Sequence, residues 1–134
     1  MDYQLSYEND FCYFRVKASG VAEVMEIQSM VEGILNHPDW IKGGDSLLDF
    51  SEMTFAALDT DEIVQLSSMI RALSDALGSG KAAMVMNQDI DFGLARMWQM
   101  MTEHHVEFSI DVFTSVEDAH SFLTSESPSI NAVD

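Results

Sequence analysis

The chain is short of bases. Six Lys and Arg stand against 23 Asp and Glu in 134 residues, a formal net charge of -17. Such a chain repels phosphate backbones, because nucleic-acid binding works through Lys and Arg that displace counterions. Anionic membrane surfaces repel it for the same reason. We therefore expect no nucleic-acid and no membrane partner. The charge suits a basic protein partner, or simply keeps the chain soluble. Cysteine is almost absent. The single Cys12 excludes an internal disulfide and cannot make a metal site alone. Its apolar surroundings lead us to expect a buried, inert thiol in a reducing compartment. No apolar run reaches the ~18 residues needed to span a bilayer. The opening Met-Asp-Tyr-Gln has neither the basic start nor the apolar stretch of a secretion signal. A cytoplasmic location is expected.

With 47% hydrophobic residues, the chain can bury a proper core, and its length suits a single domain. We expect that domain over residues 1–123, with a polar tail over 124–134 (TSESPSINAVD). Ten methionines are many; Met fills irregular core gaps and also lines adaptable binding surfaces. Residues Lys81 to Leu123 set the fold class. An apolar run (Ala82 to Met86) gives way to a turn at Asn87-Gln88-Asp89. A helix follows with Leu94, Ala95, Met97, Trp98 and Met101 on one side, then an alternating run with Phe108, Ile110 and Val112. A last short helix opens at Ser115, where Ser115 and Asp118 resemble a capping box. Strand, helix, strand, helix argues for parallel strands joined by helical crossovers.

Upstream, Gln4 to Glu8 and Phe11 to Ala18 alternate about the polar pair Asn9-Asp10 and read as an antiparallel hairpin. Val24, Ile27, Val31 and Ile34 recur at helical spacing between Ala22 and Leu35, and His37-Pro38 ends that helix. Gly43-Gly44 reads as a flexible joint, and Ser46 to Phe50 as a buried central strand. Asp59, Thr60, Asp61 and Glu62 mark the next helix start, where either Asp59 or Thr60 can cap. Ile63, Leu66, Ile70, Leu73 and Leu77 form its stripe, which Gly78-Ser79-Gly80 stops. The result is an α/β fold: an N-terminal hairpin, then alternating helices and strands, a mixed sheet of about five strands with four helices. Right-handed crossovers suggest helices on both faces, with any ligand beyond the carboxyl ends of the strands.

Motifs for chemistry are missing. Gly78-Ser79-Gly80-Lys81 ends a helix and enters a strand, the reverse of a phosphate-binding loop. His104 and His105 are adjacent, so they point to different sides of a helix and cannot share a metal. His37 and His120 read as isolated surface residues. Asp89 and Asp91 lack the rest of a calcium loop, and capping by one of them is the simpler reading. No serine has a nucleophile elbow. We expect no catalytic residue, no metal and no cofactor. Trp98 and Met101 fit the core stripe, whereas Gln99 and Met100 lean away from it.

The element order, with Leu47-Leu48-Asp49-Phe50-Ser51-Glu52-Met53-Thr54-Phe55, Phe92 to Met101 (FGLARMWQMM) and Val112 to Leu123, resembles the STAS superfamily, in particular its SpoIIAA-like group. The resemblance covers nearly the whole chain in topology and about the last third in motif. It implies a bacterial, non-catalytic regulatory domain that works by binding a partner protein, a kinase or an anti-sigma factor. Such antagonists are switched by phosphorylation in a motif like Asp-Ser-Ser-Gly at the start of the second helix. Asp59-Thr60 stands there in this chain, without the second Ser or the Gly and with Asp61 and Glu62 adding charge. A phosphate on Thr60 would gain from the helix N-terminus and be repelled by the three acids. Thr60 and Asp59 are thus candidates for phosphosite or helix cap, and Asp49, Ser51 and Asp61 for partner contact. The group also resembles lipid-carrying SEC14-type domains in fold. That makes carriage or sensing of an apolar small molecule the rival function, with Met97, Trp98, Met100 and Met101 as its candidate lining or as an interface. An apolar outer face on that helix would also allow a homodimer.

Overall fold

The computed structural model describes residues 1–125; most of the expected polar tail lies outside them. Five strands form one sheet in the order β1-β2-β3-β4-β5: β1 Asp2–Glu8, β2 Tyr13–Val21, β3 Asp45–Thr54, β4 Lys81–Val85 and β5 Ser109–Phe113. The first pair is antiparallel and every later pair parallel. Helices α1 (Val24–Leu35), α2 (Thr60–Ala72), the single turn α3 (Ser74–Leu77) and α4 (Asp89–Thr102) fill the connections, and α5 (Val116–Thr124) follows the last strand.

The strand order fixes where the helices go. Each right-handed crossover steps the same way across the sheet, so α1, α2 and α4 all land on one face. Only α5, which is not a crossover, folds back onto the other. Helices do occupy both faces, but the crossover rule accounts for one face alone. Because the order never reverses, the sheet has no switch-point crevice of the kind that binds ligands in doubly wound folds.

Alternation along β1 and β2 turns Tyr3, Leu5, Tyr7, Phe14, Val16 and Ala18 toward the three-helix layer, where they join Ile27, Met30, Phe50, Ile63 and Met84. Tyr13, Leu47, Ala83 and Val85 face the other way, under Ala119 and Leu123 of α5.

Three local expectations change. The hairpin turn takes four residues, with Phe11 and Cys12 in it; both of their amides donate to the Glu8 carbonyl. Cys12 is exposed, with a left-handed φ of 58°, because the alternation that seemed to bury it stops one residue later, at Tyr13. Strand β3 runs on past Phe50 to Thr54. Its pairing with β2 skips one residue, Lys17 opposite Asp49 and then Ser19 opposite Glu52. That bulge keeps both Phe50 and Met53 in the core. Gly43-Gly44 is a packed contact, not a flexible joint. The Gly43 amide donates to the Leu77 carbonyl at 3.0 Å. A Cβ on Gly80 would stand 2.4 Å from the Gly43 carbonyl oxygen and 2.5 Å from that of Gly44. Gly78, with φ 81°, caps α3 and abuts the Gly43 backbone.

Candidate functional site

The layer of α1, α2 and α4 meets the sheet through branched aliphatic side chains, Ile27, Val31, Ile63, Leu66 and Ile70, with Met30 and Trp98 among them. Met30, Met84 and Trp98 meet in the middle, and the fit leaves space. Two apolar cavities, of about 80 Å³ and about 70 Å³, lie along β3 and share Met30, Val31, Leu48, Ile70, Met84 and Trp98 as walls. The first reaches Phe50, Phe55 and Leu94 toward the carboxyl end of the strands. The second reaches Ser46, Trp40 and Phe108 toward the amino end. Together they form a slot between sheet and helices. From Ser46 to Phe50 it follows the strand for about 13 Å at ~3.3 Å per residue. Every side chain around the first cavity is apolar. Left empty, an apolar void of 80 Å³ forgoes about 2 kcal/mol of packing, and an apolar cavity of ~150 Å³ holds a benzene-sized molecule.

The four candidates on α4 divide. Trp98 walls both cavities, Met97 and Met101 pack partly buried against the main core, and Met100 is 68% exposed. Gln99 does not lean outward. It is buried, and its Nε2 donates to the Ile110 carbonyl at 2.6 Å, pinning α4 to β5. Ser67 and Thr102, also buried, share a hydrogen bond of 2.7 Å that ties α2 to α4.

At the carboxyl end, Asp91 takes a different part from the helix cap expected of it. Gln88 holds the cap position of α4 without a side-chain bond. Asp91 lies almost fully buried; its Oδ1 accepts from the Phe55 amide at 2.7 Å, and its Oδ2 has no partner among the described residues. The bond draws the β3–α2 loop down beside the first cavity, which Phe55 lines. Nothing in the local pattern marks this role: an acid in a helix's first turn is ordinary.

The start of α2 is a full capping box. Asp59 Oδ1 accepts from the Glu62 amide at 2.9 Å, and Glu62 Oε1 accepts from the Asp59 amide at 3.0 Å. Asp59 is therefore the cap, and Thr60 is the first helical residue, exposed beside exposed Asp61. Asp49 and Ser51 are elsewhere, on the α5 face of the sheet. Asp49 is buried. Its Oδ1 accepts from the Ser51 hydroxyl at 2.6 Å and amide at 3.1 Å. Lys17 Nζ lies 3.5 Å from Asp49 Oδ2 and 3.3 Å from Glu52 Oε2. Burial pushes the Asp49 carboxyl up, but the Ser51 bonds and Lys17 outweigh it and hold the group below the usual carboxylate range. The charge of Asp49, reinforced by Glu52, raises the Lys17 ammonium in turn. A shallow polar depression of about 280 Å³ adjoins Lys17, Ser19 and Glu52.

His120 is not isolated: its Nδ1 shares a 2.8 Å hydrogen bond with the buried Tyr13 hydroxyl, and Phe11 meets its ring edge to face. His37 packs edge-on against Phe14. Among the described residues no three His, Cys, Asp or Glu are grouped as metal ligands. No helix there is long and apolar enough to cross a membrane.

A mixed five-stranded sheet opened by a hairpin, with three crossover helices on one face and a closing helix on the other, is a SpoIIAA-like architecture. In particular, the chain is similar to a solved structure of an uncharacterized DUF3478-family protein with a SpoIIAA-like fold from Shewanella loihica PV-4. The two are 14% identical, the match covers 91% of this chain and 92% of that one, and the TM-score is 0.59. The likeness shows that the fold is SpoIIAA-like. No family model matches the chain, and no curated protein matches it.

Proposed function

We propose that this chain is a non-catalytic, cytoplasmic binding domain that takes an apolar small molecule into the slot between its sheet and its three-helix layer. The observation behind this is the slot itself. A space with wholly apolar walls at one end stands open where close packing would be more stable. Both of the chain's tryptophans wall it, Trp98 between the two cavities and Trp40 toward the amino end, so occupancy has a built-in reporter. Titration with n-decanol, followed by tryptophan fluorescence, is expected to give a saturable change. Ala95→Leu, which puts bulk into the first cavity, should weaken it about tenfold. A change that never saturates, or one that Ala95→Leu leaves intact, overturns the reading.

A second reading is favoured by the start of α2. There the domain would be a regulatory module that works by contact with a partner protein and is switched at Thr60. Because Asp59 does the capping, the Thr60 hydroxyl is left exposed at the positive end of the helix, where a phosphate gains from the free amides. Intact-mass measurement of the protein from its own cells tests this: a phosphate mapped to Thr60 supports the switch, and an unmodified Thr60 under all growth conditions counts against it.

A further inference from the structure

Helices α1, α2 and α4 all begin at the carboxyl end of the sheet, and α2 packs between the other two. Near its start each carries a large apolar side chain that the core does not use: Met25 is 79% exposed, Val64 43% and Ile90 60%. Single exposed apolar residues are ordinary, but a series of them on adjacent elements marks an interaction surface. Packed helices lie about 8–10 Å apart, so the three helix starts that carry this row span roughly 20 Å.

The row is set in acid. Glu23 precedes α1, Asp59, Asp61 and Glu62 open α2, and Asp89 opens α4, while none of these first turns holds a Lys or Arg. The one positive charge paired within these first turns is the N-terminal ammonium, 3.7 Å from Glu26 Oε2; Lys17 is engaged with Asp49 and Glu52, and Arg96 with Asp111. A second copy of this chain would bring the same acids against them, which is unfavourable. An anionic lipid surface is repelled likewise.

We propose that this end of the helix layer docks a basic amphipathic helix of a partner protein, apolar at every seventh residue and rich in Lys or Arg between. A helix rises 1.5 Å per residue, so residues seven apart are about 10.5 Å apart, the spacing of neighbouring helix starts. Three successive apolar positions of the partner meet Met25, Val64 and Ile90, and its bases meet the acids around them. The inference rests on the protein-contact reading above and is independent of what fills the slot.

The test uses the full chain and two synthetic peptides of about 15 residues, equal in composition: one with Leu at every seventh position among Lys and Ala, one with the same residues scrambled. The ordered peptide is expected to bind about tenfold tighter than the scrambled one. Its amide shifts should centre on Met25, Val64 and Ile90, and binding should weaken with salt. Met25→Ser with Ile90→Ser, both at exposed positions, should remove the tenfold preference while leaving thermal unfolding in place. Equal affinity for the two peptides, shifts centred on another face, or no binding each overturns the proposal. So does loss, in the same double variant, of binding to phosphatidylcholine vesicles or of self-association, since either assigns the row to another occupant. Cross-linking in native extract separates the failures. A partner joined through other surfaces sinks this inference alone; no cross-linked partner and no peptide binding removes the protein-contact reading as well.

Discussion

On one face of the sheet, Ala119 of α5 meets Ala83 of β4, and both are wholly buried. On the other, three helices reach the same strands through Met30, Met84 and Trp98 and leave a slot. Small residues let α5 sit close, and its polar anchors lie at the margins: Tyr13 with His120, and Lys81 Nζ to the Phe122 carbonyl at 3.2 Å. Under α1, α2 and α4 the polar bonds run between helices or from helix to strand edge, beside the slot. The difference teaches that one sheet can serve as foundation on one side and as the floor of a binding space on the other. Two things separate the faces: Ala meets Ala under α5 where Met meets Trp at the slot, and the α5 face also carries the Asp49–Lys17 pair.

Adding bulk to each face breaks or confirms this contrast. Ala83→Leu should destabilise by on the order of 3 kcal/mol, read as a fall in the denaturation midpoint, because nothing under α5 can yield. Ala95→Leu, which faces the slot, should instead stabilise by about 1 kcal/mol by filling space. If both destabilise alike, the slot is not real. Asp49→Asn probes the electrostatics of the α5 face. The folded carboxyl is held below its ordinary value, so it contributes stability at higher pH and loses it as pH falls through its lowered value. The wild type should exceed the variant most above about pH 5, and the gap should close as acid is added. The smallest effect belongs to the hairpin. Cys12→Gly relieves a left-handed residue and should add about 0.5 kcal/mol, with slot binding unchanged.

How much of this was legible depended on whether a residue's neighbours in sequence were also its neighbours in space. The strands and the long helices are legible in kind and order, because periodicity is local, but the stripe from Ile63 to Leu77 reads as one helix where the structure breaks it at Leu73 into α2 and α3. The sequence marks Asp59 and Thr60 as a helix start, and Glu62 three residues after Asp59 is the mark of a box. The apolar run that marks β3 ends at Phe50, whereas the strand goes on through the bulge to Thr54. The slot was invisible: Met30, Met84 and Trp98 read as core whether or not they fill it, and only Trp98 was singled out. The Asp91–Phe55 bond spans 36 positions, and Gln99 on an apolar helix looked like a surface residue because its acceptor is on β5.

The glycine contact at the amino end of the sheet has a mechanical consequence. There the backbones of residues 43–44 and 78–80 touch with no side chain between them, and the Gly80 carbonyl also accepts the Ser109 amide at 2.9 Å. At the opposite end one carboxylate, Asp91, draws the β3–α2 loop in. The helix layer is thus clamped along one margin and latched at the other. Breathing of the layer should begin at the latch, so amide exchange should be fastest around Phe55 and slowest beside the glycines, and whatever enters the slot should enter from the latched side.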